Sequence, residues 1–264
     1  MSFNLIKNIK ILENFNLRLD KYLKYKYTSL TQGFIEKNIR KKNILINNST
    51  TKASYLVKIN DELKILNFHE NLYKNKIIFK KNIQISNKIL AEFKRSIIFE
   101  NKSFIVLDKW SQIATQGGSK IKISIDQIIQ NINSQYRLVH RLDKETSGIL
   151  LIAKNLEYAK KLSSLFKQKE ITKFYIALCE GSTKNNYSKV KLDIKSKKNK
   201  IENTVTNYKV INKNNGISLI LFNPQTGKTH QLRIVSKNLG CPIVGDKKYN
   251  IHSKYIKENL MLHA

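Results

Sequence analysis

The chain has 264 residues, of which 41% are hydrophobic and 9% aromatic, and this is enough apolar material for a packed core, so a globally disordered chain is excluded. Its 49 Lys and Arg residues against 19 Asp and Glu residues give a formal net charge of +30. Such a field attracts polyanions, most commonly nucleic acid. The excess is almost all lysine spread along the chain, so it identifies no particular site.

Cysteine and histidine usage predicts neither a disulfide nor a metal site. Cys179 and Cys241 have no C-x-x-C or regularly spaced partner, and the five histidines show no spacing typical of metal ligands. The N-terminus lacks the apolar stretch of a signal peptide, and no uncharged apolar run approaches the roughly 18 residues of a membrane span. We therefore expect a cytoplasmic protein with no membrane segment.

The first 75 residues indicate a small separate α/β module. Residues 17–23 and 32–40 place apolar side chains at helical spacing and basic side chains on the outer faces. Residues 44–48 and 59–65 each combine a strand with a turn.

This order of elements resembles the S4 RNA-binding module over about residues 15–70. The glycines typical of that module are replaced by Lys42, Asn48 and Asn60. Asparagine tolerates positive φ better than most residues, whereas lysine is harder to accommodate. The resemblance implies that basic side chains hold RNA through its phosphates; the candidates are Arg18, Arg40 and Lys41. An unrelated basic helical cap is the alternative interpretation.

Residues 76–95 are rich in Lys and Asn, lack Pro and Gly, and predict a partly extended linker. Beyond it, residues 96–264 predict a second domain with helices at 156–170 and 229–239, the latter ending in a left-handed cap at Gly240. Strands are predicted at 104–107, 149–153, 172–178, 204–211 and 217–222. Many strands and few helices favour an α+β fold with a mixed, largely antiparallel sheet and flanking helices.

Residues 137–148 carry the strongest chemical signal. Asp143 lies on a predicted tight turn, immediately before the apolar run at 149–153. An acid on a turn before a core strand is held rigidly, as a catalytic group must be. The alternative is an ordinary charged turn, in which Asp143 caps the backbone at Thr146.

Residues 140–148, H-R-L-D-K-E-T-S-G, resemble the H-R-L-D-x-x-T-S-G signature of the RluA/RluC/RluD family of RNA pseudouridine synthases. The resemblance implies that Asp143 is the catalytic carboxylate. It also implies that Arg141 fills the space left by a flipped nucleotide, since a planar cation can stack and hydrogen-bond there. We add His140 of the same motif to the candidate RNA-binding residues.

Residues 224–233, P-Q-T-G-K-T-H-Q-L-R, contain a G-K-T triplet, but a phosphate-binding P-loop would need glycine where Phe222 stands. The string instead resembles the family's P-x-T-G-R-T-H-Q-[IL]-R segment and continues into L-G-C-P-I-V-G-D-K-K-Y at 239–249. The resemblance implies an ion pair between Arg233 and Asp143, in which the guanidinium keeps the carboxylate ionised. Two residues of this segment are further candidates for RNA binding: Lys228, in place of the usual arginine, and His230.

Residues 173–181, K-F-Y-I-A-L-C-E-G, resemble the family's K-x-Y-x-A-x-V-x-G strand. Taken alone, Tyr175 is an ordinary core aromatic. The resemblance implies instead that it stacks on a flipped uracil and takes part in catalysis.

The chain departs from the family at two further places. The family's K-P-x-G motif is K-W-S-Q at residues 109–112, which alters the loop near Gly117 and Gly118. The sequence ends at residues 262–264, where relatives continue into further strand. We expect either a trimmed C-terminal end or a reduced domain, with an exposed sheet edge there.

The resemblance therefore implies a pseudouridine synthase that isomerises uridines in structured RNA and is catalysed by Asp143, Tyr175 and Arg233. Within the family the chain is most similar to the RluC-type branch, which implies large-subunit (23S) ribosomal RNA. Nothing is oxidised or hydrolysed in this isomerisation, so no cofactor or metal is expected, and we expect a monomer. A tRNA substrate and a non-catalytic RNA-binding or ribosome-assembly factor are the alternatives.

Overall fold

The computed structural model describes residues 5–13, 15–74, 85–118, 121–195 and 199–264. The chain divides into two compact units, residues 1–83 and 84–264. The division falls inside the predicted linker, whose first part, through residue 84, lies outside the described residues.

The first unit packs two helices on a small sheet. Its elements are β1 Lys7–Lys10, α1 Leu19–Lys26, α2 Gln32–Arg40, β2 Ile44–Ile46, β3 Ser49–Thr50 and β4 Glu62–Ile65. The strands form an antiparallel sheet in the order β1-β4-β2-β3. Alternate residues of β2 and β4 point into a core that also buries Leu19, Leu23 and Ile35. The predicted α/β pattern of this region is confirmed.

The backbone is left-handed at each of the three positions where the S4 module typically has glycine and this chain has another residue. Asn48 has a φ of 59° and Asn60 a φ of 66°, in line with the tolerance of asparagine for this region. Lys42 adopts a φ of 60° despite its longer side chain. The three turns thus keep a conformation that favours glycine.

The second unit contains most of the strands in the described residues. Its helices are α3 Asn87–Arg95, α4 Ile125–Ile132, α5 Leu156–Gln168 and α6 Gln231–Asn238. Its strands are β5 Ile97–Glu100, β6 Phe104–Lys109, β7 Arg137–Leu138, β8 Gly148–Ala153, β9 Tyr175–Glu180, β10 Tyr187–Lys195, β11 Ile201–Asn214, β12 Ile217–Pro224 and β13 Leu262–His263. Two sheets result, with the orders β10-β11-β12-β9-β13 and β5-β6-β8-β7. Their ladders are antiparallel throughout the described residues, which confirms the α+β prediction.

Two local predictions had different outcomes. Gly240 follows α6 with a φ of 70°, so the predicted left-handed cap is confirmed. The extended linker is wrong over its second half, where α3 buries Phe93 and packs Ile89 and Leu90 against the core of the second unit. These apolar residues share one helical face, and their burial outweighs the polar composition around them.

The last residues described join the two sheets of the second unit. β13 forms one edge of the five-stranded sheet in the described residues, beside β9. Ala264 donates its N–H to the Ser147 carbonyl at 2.9 Å and accepts from the Ile149 N–H at 3.1 Å. Gly148 lies between them with a φ of 112°, and a Cβ there would come within 2.4 Å of the Ala264 backbone. The start of β8 is therefore fixed against the other sheet.

Among the described residues, none of the helices combines the length and the apolar character that crossing a membrane requires.

Candidate active site

Asp143 lies in the turn between β7 and β8, as predicted. The Thr146 N–H bonds to the backbone carbonyl of Asp143 at 3.2 Å, so the carboxylate is not the cap that the alternative interpretation required. Within the described ranges, the carboxylate accepts no hydrogen bond, and the side chain is 36% exposed. A half-buried carboxylate without a donor on it is available to a bound ligand.

Side chains from the loop after β6 hold the backbone of this turn. The Thr115 hydroxyl donates to the Leu142 carbonyl at 2.7 Å and accepts from the Leu142 N–H at 3.1 Å. The Ser111 hydroxyl donates to the Glu145 carbonyl at 2.7 Å. These contacts lie on both sides of Asp143, so the loop fixes the position of its carboxylate.

Lys109, at the end of β6, also holds the backbone of this turn. Its side chain is fully buried. Its ammonium donates to three backbone carbonyls: those of Trp110 at 3.1 Å, Ile113 at 3.0 Å and Lys144 at 3.3 Å. Burial lowers its pKa to about 8, although the nearby carboxylates of Asp143 and Glu145 oppose that change.

The replaced K-P-x-G motif keeps its turn. Gln112 occupies the position of the family's glycine and has a φ of 68°, in the region that favours glycine. Its side-chain amide also contacts Asn259 at 3.4 Å. Gln112 thus adopts a left-handed conformation that glycine would take at lower cost.

A cavity of about 660 Å³ opens beside the turn. All three predicted catalytic residues line it: Asp143, Tyr175 and Arg233. Four of the predicted RNA-binding residues also line it: His140, Arg141, Lys228 and His230. The three motifs, distant in sequence, therefore meet at one site whose volume suits a small organic ligand.

Tyr175 begins β9 and is partly buried in the cavity wall. Burial, and then the negative charge of Asp143, raise the pKa of its hydroxyl. The phenol is therefore protonated at neutral pH and can donate a hydrogen bond or stack on a planar ring.

The predicted ion pair between Arg233 and Asp143 is wrong. Arg233 is 3% exposed, and its fork donates from Nε and Nη2 to the carboxylate of Asp246 at 2.8 and 2.7 Å. Its remaining Nη1 donates to Glu145 at 2.7 Å. Burial would lower the pKa of Arg233, but these two acids raise it. The bidentate geometry of Asp246 matches the guanidinium fork, so this partner takes the place expected for Asp143.

Asp246 is equally well fixed. It is 1% exposed and accepts N–H bonds from Lys248 at 2.9 Å and Tyr249 at 3.0 Å, besides the arginine. Burial alone would raise its pKa, but Arg233 and the two N–H donors lower it. The buried charge pair is therefore fully hydrogen-bonded.

The basic group that does approach Asp143 is an imidazole. Nε2 of His230 lies 3.9 Å from Oδ2 of Asp143. Lys228, two residues earlier, pairs with Glu202 at 3.2 Å. Its charge at the cavity is thereby partly neutralised.

His140 and Arg141 occupy different environments. The ring of His140 stacks on Phe166 with centroids 4.4 Å apart, and its Nε2 accepts from the Leu151 N–H at 2.9 Å. Burial, and then Lys173, lower its pKa to about 4, so the ring is neutral. Arg141 is exposed and forms no ion pair or hydrogen bond with the described residues. RNA binding by either residue stays a prediction.

The predicted RNA-binding residues of the first unit are all exposed. Arg18 forms a bidentate pair with the buried Asp20 at 3.1 Å. Arg40 ends α2, and Lys41 caps that helix. Their contacts with RNA stay predictions.

Four residues of the site were not singled out from the sequence: Lys109, Glu145, Lys173 and Asp246. Glu145 stands at an unspecified position of its motif, and Asp246 lies within the G-D-x-x-Y string without an assigned role. Lys173 lines the cavity, and burial, then Lys169, lower its pKa. One signal in the sequence could have identified them. They are charged residues within strongly apolar segments or within the motifs, and charged residues are rarely buried unless they are paired or functional.

No group of three or more His, Cys, Asp or Glu side chains in the described part of the chain is arranged to hold a metal ion. The two cysteines are free and buried. Their thiols are in hydrogen-bonding contact, which raises the pKa of Cys179.

The site thus combines a braced carboxylate, a protonated phenol and several cations in one cavity. This arrangement suits covalent or acid-base chemistry on a ring that is attached to a negatively charged polymer. Residues 103–238 match the family described as RNA pseudouridylate synthase. The chain belongs to this family and is a pseudouridine synthase, an isomerase.

Particular relatives share most of its length. It is 42% identical to the ribosomal large subunit pseudouridine synthase C of Rickettsia prowazekii over 94% of this chain and 87% of that protein. It is 31% identical to the protein of the same name from Buchnera aphidicola subsp. Schizaphis graminum over 94% of this chain and 84% of that protein. The structure of human RNA pseudouridylate synthase domain containing 4 matches with a TM-score of 0.60 at 24% identity, covering 67% of this chain and 85% of that one, and so shares its fold.

Proposed function

We propose that this chain isomerises specific uridines in large-subunit (23S) ribosomal RNA, and that Asp143 is its catalytic carboxylate. The names of the two bacterial relatives support the substrate. The observation that carries the site assignment is the braced Asp143 carboxylate, free of hydrogen bonds from the described residues and lining the same cavity as Tyr175.

The reaction breaks the N1–C1′ bond of uridine, turns the uracil, and forms a C5–C1′ bond. A proton leaves C5 and N1 gains one, so the product is an isomer. Asp143 supplies the nucleophile or base for this sequence. Tyr175 stacks on the extruded uracil and holds its hydroxyl near the reacting ring, and exposed Arg141 fills the space that the flipped nucleotide leaves.

Arg233 acts on this reaction through the turn rather than by touching Asp143. It binds Glu145, whose backbone belongs to the braced turn, and so we assign it a positioning role. Lys228, His140 and His230 remain candidates for contact with the RNA near the target uridine.

Residues 1–75 act in this proposal as an S4-like module that holds neighbouring RNA through phosphates, with Arg18, Arg40 and Lys41 as contacts. Two helices on a small sheet and left-handed turns at the expected positions support it. Such contacts give affinity but little base identity. A cytoplasmic monomer is part of the same proposal.

The direct test offers the purified protein two RNAs, a 23S ribosomal transcript and a transfer RNA mixture, and maps pseudouridine in each. We expect conversion at defined 23S positions only. The same positions should be unmodified in ribosomal RNA from cells that lack the gene. Conversion of the transfer RNA would establish the alternative substrate, and binding without conversion of either RNA would establish a non-catalytic factor.

A further inference from the structure

His230 is held in a single orientation at the start of α6. Its backbone is left-handed, with a φ of 56°, and its side chain is 18% exposed. A non-glycine residue in this region costs free energy, so the surrounding structure has to hold it there. Its ring meets the Tyr249 ring edge to face, with centroids 5.7 Å apart.

The contacts of Nδ1 favour one tautomer of the imidazole. Nδ1 of His230 is 3.0 Å from the Tyr249 hydroxyl and 3.5 Å from the ammonium of Lys248. An ammonium group cannot accept a hydrogen bond and the tyrosine hydroxyl can donate one, so an unprotonated Nδ1 suits both neighbours. The neutral ring that suits both carries its proton on Nε2.

The ring is neutral at neutral pH. Burial is the largest influence and lowers the pKa of His230. The charged groups that face the ring act in both directions: Asp143 and Glu145 raise its pKa, whereas Arg233 and Lys248 lower it. The net direction is down, which keeps the ring in its neutral form.

The protonated nitrogen faces the carboxylate. Nε2 lies 3.9 Å from Oδ2 of Asp143, which is longer than a hydrogen bond. Catalytic hydrogen bonds are often long in the absence of substrate and shorten when it binds. Arg233, the residue first expected to face Asp143, has each of its three donor nitrogens occupied by Asp246 or Glu145.

We propose that His230 is a positioning residue that donates from Nε2 to the Asp143 carboxylate and orients it toward the reacting uracil or ribose. The inference rests on the proposed role of Asp143. A neutral donor aims one carboxylate oxygen and leaves the other free, whereas a bidentate guanidinium would occupy both oxygens. Tyr249 and Lys248 serve this function by fixing the tautomer.

A matched pair of variants separates the donor from the shape of the side chain. His230→Gln keeps an N–H donor of similar reach, and His230→Met has similar length without one. Gln112 already adopts a φ of 68° in this chain, and both unbranched replacements meet the same backbone requirement. The exposed His252, replaced by Gln, is the control for histidine loss.

The rate constant of pseudouridine formation is measured in single turnover at saturating 23S transcript, together with the RNA dissociation constant. His230→Met should lose roughly 10- to 100-fold in rate at saturating RNA, the scale of a misplaced catalytic group and a loss separate from any change in affinity. Where the loss in His230→Met approaches roughly 100-fold, the rate constant of His230→Gln should be at least about tenfold higher than that of His230→Met. Equal rates in the two variants, or a loss confined to RNA affinity, would overturn the proposal.

A measurement on the unaltered chain covers the case in which a variant does not fold. Long-range proton–nitrogen NMR of imidazole-labelled protein reports the tautomer of each histidine. The signal that disappears in His230→Gln belongs to His230, and the signal that disappears in His252→Gln belongs to His252. We expect a neutral Nε2–H ring for His230 at pH 7. An Nδ1–H ring would refute the proposal. If Asp143→Asn retains full activity, the proposed function fails; if it is inactive while His230→Met equals the unaltered chain, only this inference fails.

Discussion

Arg233 donates a hydrogen bond to Glu145 at 2.7 Å, two positions beyond Asp143, and makes no ion pair with Asp143 itself. The guanidinium thereby connects α6 to the turn that carries the carboxylate. Its other donors hold the buried Asp246, so a network of charged side chains supports the wall of the cavity that carries Asp143.

Loss of Arg233 should therefore reduce the free energy of unfolding, because the buried charge pair is broken. Arg233→Met leaves Asp246 buried without its counter-ion, and such a change typically costs about 3–5 kcal/mol. Glu145→Gln removes a partner whose side chain is 41% exposed, so it should cost less than about 1 kcal/mol. Urea unfolding at pH 7 measures both. Equal, small losses would show that the buried pair contributes no more than a surface pair.

Lys109 should give the protein a characteristic alkaline response. Its pKa is about 8 in the folded chain against an ordinary 10.5, so between these values the unfolded chain binds more protons. Stability due to this group then rises with pH across that window, by roughly 3 kcal/mol at 1.36 kcal/mol per unit. The free energy of unfolding of the unaltered chain, minus that of Lys109→Met, should therefore increase by this amount from pH 7.5 to 10.5.

The comparison between two chains removes the titration of the other lysines, which are common to both. Lys109→Met should also slow pseudouridine formation, because the Lys144 carbonyl loses its donor beside Asp143. Parallel stability curves across the window would contradict the buried ammonium.

The first unit should contribute affinity through charge. Replacing Arg18, Arg40 and Lys41 by Gln in the full chain should weaken RNA binding and make it less dependent on salt, since fewer counterions are released. For duplex-like binding, the slope of log K against log salt changes by about 0.9 for each phosphate that the protein no longer neutralises. A control with Lys94, Lys102 and Lys122 replaced by Gln removes the same charge from exposed positions of the second unit. Identical slopes in the two variants would mean that the three predicted residues act only through net charge.

The sequence predicted those features that depend on local chemistry. The turn at Asp143, the strand after it and the cap at Gly240 follow from short-range patterns, and each is present. β10 was missed although Val190, Leu192 and Ile194 alternate inward, because the charged residues between and around them resemble a polar loop. The helix α3 was missed for a similar reason, since Lys and Asn surround its apolar face.

The partner of Arg233 could not be predicted in the same way. Asp246 and Asp143 are both carboxylates in matching motifs, and only the packing of the loop after α6 decides which one meets the guanidinium fork. The family resemblance favoured Asp143. Tertiary geometry, which local patterns do not contain, places Asp246 there instead.

The central claim is that Asp143 carries the chemistry, and single-turnover conversion of a 23S transcript by Asp143→Asn tests it most directly. The amide keeps the size of the side chain and removes its charge, so the RNA dissociation constant should stay within about threefold while the rate falls by several decades, as for loss of a covalent nucleophile. Retention of more than about a hundredth of the rate would contradict the assignment of Asp143.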